Sequence, residues 1–468
     1  MPTWSDALLA FTLLTTAYFV AWGVAQISLS PLAAVSLWRH RQRHTRRARS
    51  LASGVAVPPL VSIVAPAFNE ELTVVESVRA MLALDYEPRE VVIVNDGSSD
   101  GTLALLERTF QLVAAPTAFE QPLRSAPVRG VYRSISDPDL VVVDKENGGC
   151  KGDASNAGIN VASGVLVLVI DADTVLEADA LSRAVLPFLE EPATVAVGAN
   201  VAIANGCQIE HGRIRQVALS PNWLARFQVV EYMRAFLLFR LACAATGSVV
   251  LISGAFGLFR RDAVIAVGGY DRTAIGEDMD LTIRLQRHFR ARGEPVRMGY
   301  DPNPLAWTQA PEDRPSLQSQ RCRWRRGLLQ VLWRYRGMIG NPRYGAVGLG
   351  SLPYVAFFEG LGPLIEGAGY VVTFAAAALG FLNWQYFWLM LTVSVLFGAA
   401  TTFLAVLLND LTTRQYTRGF ELGLLVSVAI LESVGYRQVN ALWGWIGTVQ
   451  ALTGKGGWGA MKRQAFRT

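Results

Sequence analysis

The first constraint on this chain is a long stretch near its start that contains no charged side chain. Residues 7–38 include no Asp, Glu, Lys or Arg, and a membrane helix needs about 20 consecutive apolar residues. Six arginines and no acid follow between Arg39 and Arg49. Because basic segments stay on the cytoplasmic side of a membrane helix, we expect the N-terminus outside and these arginines in the cytoplasm. The basic block follows the apolar stretch, so a cleaved signal peptide is not expected.

Further apolar segments lie near the C-terminus. Residues 367–409 are uncharged, and Gly380, Asn383 and Gln385 within them predict two crossings joined by a short turn. Residues 419–453 are also apolar but contain ionisable side chains, which favours short interfacial or re-entrant helices. We therefore expect three crossings, with an upper bound of about five.

The composition predicts a soluble body joined to such helices. Only 17% of the 468 residues are charged and 51% are apolar, whereas roughly a quarter of a typical soluble protein is charged. This composition excludes a disordered chain, and four scattered cysteines without a CxxC pair argue against a disulfide framework or a zinc site. Between Arg321 and Arg343 lie seven arginines and no acid, a block interpreted as an anchor on anionic lipid. A nucleic-acid surface is the alternative and is not expected, because no nucleic-acid-binding motif accompanies the charge.

The pattern between residues 57 and 324 is that of a soluble α/β domain. Short β-branched runs alternate with helical segments, which predicts a mainly parallel sheet covered on both faces. The predicted strands are VSIVAPAF (61–68), the start of VVIVNDGSSDGT (91–102), LVVVDKENGG (140–149) and VLVLVIDAD (165–173).

Polar residues follow the strands of this domain at their carboxyl ends, where ligands bind in open α/β sheets. They are Asn69 and Glu70, Asn95 and Asp96, Asp144 and Lys145, and Asp171 and Asp173. Carboxylates converging on one crevice predict a charged, metal-assisted site. The first strand is not followed by GxGxxG, and GxxxxGK[ST] is absent from the sequence, so neither a dinucleotide fold nor a P-loop NTPase is supported.

Seven motifs in fixed order resemble one protein family. They are VSIVAPAFNEE, VIVNDGSSDGT, NGGCKGDASNAG, IDADT, SGAFGLFRR, GGYDRTAIGEDMDL and QRCRW. Together they resemble the processive, membrane-embedded family 2 glycosyltransferases, the group of cellulose, hyaluronan, chitin and poly-N-acetylglucosamine synthases. The resemblance implies an α/β GT-A-like (Rossmann-like) cytoplasmic domain with α-helical transmembrane segments. It also implies an integral protein of the inner or plasma membrane.

The resemblance assigns the donor side of the site to several of these motifs. A nucleotide sugar leaves a diphosphate, and a divalent cation held by carboxylates neutralises its charge. The resemblance therefore implies Mg²⁺ or Mn²⁺, with Asp173 as direct ligand and Asp171 as the second metal and nucleotide residue. The residues that the resemblance implies in nucleotide binding are Asp96 at the base, Glu70 in the nucleotide loop, Lys151 at the phosphates, Asp171, and Arg323 at the diphosphate.

The resemblance assigns the acceptor side of the site to the last two motifs, GGYDRTAIGEDMDL and QRCRW, and to SGAFGLFRR. An acceptor hydroxyl is a poor nucleophile, so a carboxylate must take its proton, and the resemblance implies that Asp278 is this base. Gly276 stands where the family usually has Thr, which puts one side-chain contact to the acceptor in doubt. The acceptor-binding residues that the resemblance implies are Glu277, Gly254, Gln320 and Trp324, whose indole would stack on a sugar ring.

The resemblance and the hydropathy pattern together predict five regions. They are an N-terminal transmembrane helix with a basic linker (1–54), a GT-A domain (55–325), an amphipathic interfacial helix (326–343), C-terminal transmembrane or interfacial helices (344–453), and a gating segment or basic tail (454–468). In the last region Trp458, Lys462 and Arg463 resemble residues that close over the nucleotide in these synthases.

The implied activity is inverting, processive elongation of a β-linked polysaccharide, coupled to its movement across the membrane. The donor is expected to be UDP-N-acetylglucosamine, with UDP-glucose as the next candidate, and the acceptor the growing glycan. Membrane lipids and a small membrane accessory subunit are the other expected partners. Two alternatives remain: transfer of a single sugar to a lipid or other membrane acceptor, and a transporter or scaffold carrying an inactive transferase domain. The intact acidic motifs argue against the second.

Overall fold

The computed structural model describes residues 4–51, 57–115, 119–210, 212–412, 415–416 and 419–454. The predicted gating residues Trp458, Lys462 and Arg463 lie outside these ranges. The strands are β1 Val61–Ala67, β2 Arg89–Asp96, β3 Leu112–Ala114, β4 Val128–Ser134, β5 Leu140–Lys145, β6 Leu166–Val169, β7 Val175–Leu176, β8 Thr194–Ile203, β9 Gln208–Glu210, β10 Arg213–Gln216, β11 Gly257–Arg260 and β12 Arg297–Thr308.

Helices lie between these strands and dominate both ends of the chain. They are α1 Trp4–Leu51, α2 Val74–Leu82, α3 Thr102–Phe110, α4 Lys151–Val161, α5 Ala180–Glu190, α6 Trp223–Met233, α7 Leu241–Ala245, α8 Arg261–Ala266, α9 Glu277–Ala291, α10 Arg314–Arg334, α11 Leu352–Tyr354, α12 Gly362–Ala378, α13 Trp384–Thr412, α14 Gly419–Leu431 and α15 Arg437–Leu452. Segments of π-helix connect several of them, including Arg234–Arg240 and Glu432–Tyr436.

Ten of the strands form one sheet in the order β3-β4-β5-β2-β1-β6-β11-β8-β12-β7. The four predicted strands are its centre, β5-β2-β1-β6, and they pair in parallel. Nearly all their residues are buried, since helices cover both faces of a parallel sheet. The outer strands make the sheet mixed: β4 pairs antiparallel with β5, and β11 pairs antiparallel with β6 and β8. The link between β4 and β5 is too short for a parallel crossover, which requires an antiparallel pair.

Helix α4 packs unusually close to the centre of the sheet. A side chain at Gly158 would place its Cβ 2.4 Å from a methyl of Val64 and 2.9 Å from one of Val94. Both valines belong to the buried layer beneath the helix. The glycine therefore allows α4 to lie directly on β1 and β2, which brings Lys151, its first residue, to the carboxyl ends of these strands.

Four helical segments of the described chain are long and apolar enough to cross a membrane. They are Ala10–Gln42, Val347–Ala378, Trp384–Thr412 and Gly419–Leu452. Separate helices α12 and α13 with a short turn between them match the prediction for residues 367–409. The last segment is broken at Val434 and Gly435, whose backbones are not helical, in the region where short helices were expected.

Helix α10 connects the α/β domain to the C-terminal helices. It runs without a break across the predicted domain boundary at residue 325. The buried Arg325 guanidinium donates to the carbonyls of Glu359 and Gly360 at 2.7 and 2.6 Å and to Thr448 Oγ1 at 2.9 Å. The QRCRW motif thus lies on an element fixed from both sides.

Candidate active site

One cavity of about 1860 Å³ gathers the predicted site residues from distant parts of the chain. It is bordered by the carboxyl ends of β1, β2 and β6, the start of α4, the start of α9, and α10. The predicted residues that line it are Asp96, Lys151, Asp171, Asp173, Gly254, Glu277, Asp278, Gln320, Arg323 and Trp324. Glu70 lies beside the cavity, where its carboxylate accepts a 2.9 Å hydrogen bond from Thr73 Oγ1 at the start of α2.

The two aspartates of the DAD motif face this cavity just after β6. Asp171 Oδ1 accepts a 2.6 Å hydrogen bond from Lys151 Nζ, which also donates to the Gly254 carbonyl at 2.9 Å. Burial, and then repulsion from Asp171, raises the pKa of Asp173 to about 6. Such a pair favours a bound cation, because a cation removes the repulsion between the carboxylates.

The donor atoms of this pair fit a hard divalent metal ion. Mg²⁺ is commonly held by one or two carboxylates together with substrate phosphates and water. In the described part of the chain, no cluster of three or more His, Cys, Asp or Glu side chains could hold a metal by itself. Asp171 and Asp173 would therefore hold the ion together with water or with oxygens from a phosphorylated ligand.

Lys151 is the positive centre of the site. Its side chain is 13% exposed and closes a salt bridge with the more accessible Asp171. Burial alone would lower the pKa of Lys151, but the attraction of Asp171 and then Glu277 outweighs it and raises this pKa. The lysine therefore stays charged between the two groups of carboxylates.

The GED motif forms the start of α9. Asp278 Oδ1 accepts from the backbone N–H of Met279 at 2.8 Å, and Oδ2 accepts from the N–H of Gly254 at 3.3 Å. Burial, followed by repulsion from Asp278, raises the pKa of Glu277 to about 7. The helix N-terminus favours an ionised carboxylate, and the two bonds to Asp278 hold it in one orientation.

Gly276, the departure from the family pattern, lies against Gly327 of α10. A Cβ at Gly276 would lie 3.4 Å from the Cα of Gly327, and a Cβ at Gly327 would lie 2.9 Å from the backbone N of Gly276. Gly327 thus allows the start of α9 to approach α10 closely, whereas a Cβ at Gly276 would make an ordinary contact.

The QRCRW motif presents an indole to the cavity. Trp324 is 40% exposed, and the Arg321 guanidinium lies 4.8 Å from its ring centroid. Arg321 is ion-paired with Glu231, which also accepts a 3.0 Å hydrogen bond from the Tyr436 hydroxyl. This chain of contacts fixes the ring. Sequence reasoning did not assign Arg321 and Glu231 to the site, although Arg321 lies inside the motif.

Asp96 is the last residue of β2 and lines the cavity. Its Oδ1 is ion-paired with Lys145 and accepts a 3.1 Å bond from the backbone N–H of Gly148. Its carbonyl accepts from Asn147 Nδ2 at 2.8 Å. The NGGCK loop is therefore tied to the end of β2. Lys145 was noted only as a polar strand end, and its partnership with Asp96 was not predicted.

Family comparison agrees with this arrangement. The model described as "Glycosyl transferase family 2" matches residues 62–268, and that described as "Glycosyl transferase family group 2" matches residues 166–429. The second match spans more than half of the chain. The chain belongs to the family 2 glycosyltransferases. The resemblance inferred from the motifs is confirmed.

Two relatives are similar over more than half of this chain. A poly-β-1,6-N-acetyl-D-glucosamine synthase of Staphylococcus aureus (strain COL) is 31% identical over 267 residues, which cover 57% of this chain and 54% of that protein. The synthase of the same name from Staphylococcus epidermidis is 29% identical over 274 residues, 58% of this chain and 56% of that protein. The matched region thus spans about half the length of each relative.

A solved structure shares the fold. The mannosyltransferase from Pyrobaculum calidifontis, in complex with GDP-mannose and Mn²⁺, is 18% identical with a TM-score of 0.52 and covers 90% of this chain and 99% of that one. The GT-A-like fold predicted from the motifs is confirmed, with a mixed rather than mainly parallel sheet.

Proposed function

We propose that this protein is an inverting, processive glycosyltransferase that elongates a β-linked polysaccharide from a UDP-sugar. The observation that carries the proposal is the convergence of the DAD, GED and QRCRW motifs on one cavity. The donor we propose is UDP-N-acetylglucosamine, since the relatives named above are poly-N-acetylglucosamine synthases. UDP-glucose is the next candidate.

The residues around the cavity support a single displacement. The acceptor hydroxyl attacks the anomeric carbon, the bond from that carbon to the diphosphate oxygen breaks, and UDP leaves with the electron pair. Asp278 takes the hydroxyl proton, and Trp324 holds the acceptor sugar by stacking. Lys151 and Arg323 add positive charge beside the leaving phosphates.

A divalent cation, Mg²⁺ or Mn²⁺, would be held by Asp171 and Asp173 and would supply charge neutralisation to the leaving diphosphate. Without it, the raised pKa of Asp173 indicates a site that favours protonation of one carboxylate. Metal binding and proton binding should therefore compete, so activity at low metal concentration should increase with pH.

Export of the product is the second part of the proposal. Besides the motif residues, the cavity is lined by Trp22 of α1, Phe358, and Glu366 of α12, which belong to segments long and apolar enough to cross a membrane. A glycan held at Trp324 therefore has a continuous path toward these helices. The arginines after α1 favour a cytoplasmic catalytic domain and an external N-terminus, with membrane lipids around the helices and room for a small accessory subunit.

The decisive experiment incubates the purified full-length chain with UDP-sugars and Mg²⁺ or Mn²⁺, and measures UDP release and product mass. We expect a ladder of products from one donor and none after chelation.

Asp278→Asn should bind UDP normally and lose at least about a thousandfold in turnover, since the base is removed. A single added sugar would instead favour transfer to a lipid or other membrane acceptor. Near-normal turnover by Asp278→Asn would remove Asp278 as the base.

A further inference from the structure

The carboxylate of Asp96 is held by a lysine that has no contact with solvent. Asp96 and Lys145 are register partners at the ends of the parallel strands β2 and β5. The Lys145 side chain is 0% exposed. Its Nζ is ion-paired with Asp96, lies 2.7 Å from Asp153 Oδ2, and donates to the Glu146 carbonyl at 2.6 Å. An ammonium group has three donors, and all three are used.

The charges continue beyond Asp153. This residue lies in the first turn of α4 and is also fully buried. Its other oxygen, Oδ1, is 2.6 Å from Arg272 Nε and accepts a 3.0 Å bond from the backbone N–H of Ala126. Arg272 lies in the segment before α9, four residues from Gly276, and is 43% exposed. Four alternating charges thus join the end of β2 to the segment that enters the catalytic helix.

Stability of the fold alone does not account for this chain of buried charges. A buried ion pair is often no more stabilising than well-packed apolar residues of similar volume. What it supplies is orientation. Among the described residues, the two bonds to the Asp96 side chain are both made to Oδ1. Since Asp96 lines the cavity, Oδ2 is the oxygen available to a ligand.

We propose that Lys145, Asp153 and Arg272 are positioning residues that orient Asp96 toward the nucleobase of the donor and couple that contact to the segment leading to Glu277 and Asp278. An ionised carboxylate accepts hydrogen bonds, so the ligand it selects is a base with a ring N–H, as in uracil. The inference rests on the proposed function in requiring a nucleotide donor.

Arg272 is the best place to test the coupling because its side chain reaches the surface, and its loss leaves Asp153 paired with Lys145. The experiment measures UDP affinity by calorimetry and turnover with the full-length chain. Arg272→Ala should weaken UDP binding by about threefold, and Arg272→Lys should restore it, as expected for a partly exposed ion pair. In an Asp96→Asn background Arg272→Ala should have no further effect on affinity, since residues of one network are not additive.

The matched control is Arg260→Ala, which removes a surface arginine paired with Asp262 at 2.7 Å, outside the cavity. It should change neither affinity nor turnover. Lys145→Met should weaken UDP binding by at least about tenfold, since it leaves the buried carboxylate of Asp96 without its cation and Asp153 with Arg272 alone. If Lys145→Met does not fold, the Arg272 variants still test the positioning role. Additive effects of Asp96→Asn and Arg272→Ala, or a lower thermal midpoint with unchanged UDP affinity, would overturn the inference.

The same experiment separates this inference from the proposed function. If the wild-type protein binds UDP and turns over, and the Arg272 and Lys145 variants bind UDP as tightly as the wild type does, the positioning role alone is refuted. Wild-type protein that binds GDP or dTDP instead of UDP refutes the proposed donor, and the same cycle with that nucleotide, whose base also has a ring N–H, then tests the positioning role. Wild-type protein that binds ADP instead refutes both, because adenine has no ring N–H for the Asp96 carboxylate to accept. Wild-type protein that binds no nucleotide refutes both.

Discussion

The charge of Glu277 changes with pH near neutrality. Its pKa is raised to about 7 by burial and by the adjacent Asp278. When Glu277 ionises, it adds negative charge beside the place where the acceptor hydroxyl is proposed to lose its proton, which favours that proton transfer. We therefore expect the kcat/KM of the wild type to increase as the pH rises through about 7, and Glu277→Gln to lose this inflection. A pH–rate profile checks it, and an unchanged inflection in Glu277→Gln would assign the titration to another group.

The ionisation of Glu277 also affects the stability of the folded state, which decreases as the pH rises, whereas the activity increases. Because the pKa of Glu277 is raised in the folded state from its ordinary 4.5, the stability linked to its proton is present at low pH and is lost as the pH rises to about 7. Asp173, with its pKa raised from 3.8 to about 6, follows the same direction at lower pH. Glu277→Gln should therefore raise the thermal midpoint at about pH 8 by several degrees and change it little at about pH 4.5.

A surface carboxylate provides the control for this measurement. Glu76 is about half exposed and pairs with Arg79 at 3.1 Å on α2, so Glu76→Gln should leave the midpoint nearly unchanged at both pH values. Equal shifts in the two variants would show that net charge, rather than burial at the start of α9, determines the midpoint.

At the residue scale, sequence reasoning found the groups that belong to motifs and missed the groups that hold them. Asp171, Asp278 and Trp324 could be located because their spacing resembles a family. Lys145 and Glu231 could not, because their importance depends on strand register and helix packing that bring together residues 49 and 90 positions apart. A lysine at the end of a strand has no pattern that distinguishes it from a solvated one.

At the scale of elements, the central strands were predictable and the edges were not. β1, β2, β5 and β6 are buried on both faces, so each is a continuous apolar run. The outer strands β3 and β4 are partly exposed, and their pairing direction depends on connection length more than on composition. The predicted boundary at residue 325 follows the end of the QRCRW motif and the start of an apolar and basic stretch, whereas the helix backbone runs from Arg314 to Arg334.

The contact between α10 and α15 offers a test of how the two parts of the molecule communicate. A Cβ at Gly447 of α15 would lie 2.9 Å from Arg325 Cβ and 3.1 Å from the Cys322 carbonyl. Gly447→Val should therefore displace the helix that carries Trp324. We expect kcat to fall at least about tenfold, since small misplacements of positioning groups are costly. UDP affinity should fall much less, because Arg323 is the one proposed nucleotide-binding residue on α10 and Asp96, Lys151 and Asp171 lie on other elements.

Gly423 of α14 is the matched control for that substitution. It is a helical glycine in the same C-terminal region, and a Cβ there would meet no described atom within 4 Å. Gly423→Val carries the same cost of a β-branched residue in a helix without the clash, so turnover should stay close to wild type. Comparable losses in both variants would mean that helix propensity, not the contact with α10, limits activity.

At the scale of the whole molecule, the helices long and apolar enough to cross a membrane and the α/β domain line one cavity together. Trp22 of α1 and Asp278 of α9 line the same space, although they are separated by most of the α/β domain in sequence. Composition predicted both parts, because a charged fraction of 17% is too low for a soluble enzyme alone. It could not predict their common cavity, which depends on α1 packing against the helices near residues 234–245 and 384–412.

Trp22 provides the test of whether this shared cavity serves a growing chain. Its indole lies 4.8 Å from the Arg437 guanidinium and faces the cavity, where a sugar ring could stack on it. Loss of one such aromatic contact costs about 1 kcal/mol. Trp22→Ala should therefore release shorter chains, while the initial rate of UDP release stays within about twofold of wild type because the reacting groups are untouched.

Two variants separate glycan binding from simple packing in that experiment. Trp22→Phe keeps an aromatic face and should restore most of the product length. Val24→Ala alters an exposed residue of the same helix that does not line the cavity, and should give wild-type products. A processive enzyme extends a chain only while the chain remains bound. If the growing glycan passes Trp22, the loss of this contact should therefore change the distribution of product lengths without changing the rate of the first transfer. Product lengths that are identical for wild type and Trp22→Ala would place the growing chain outside this cavity and would contradict export between these helices.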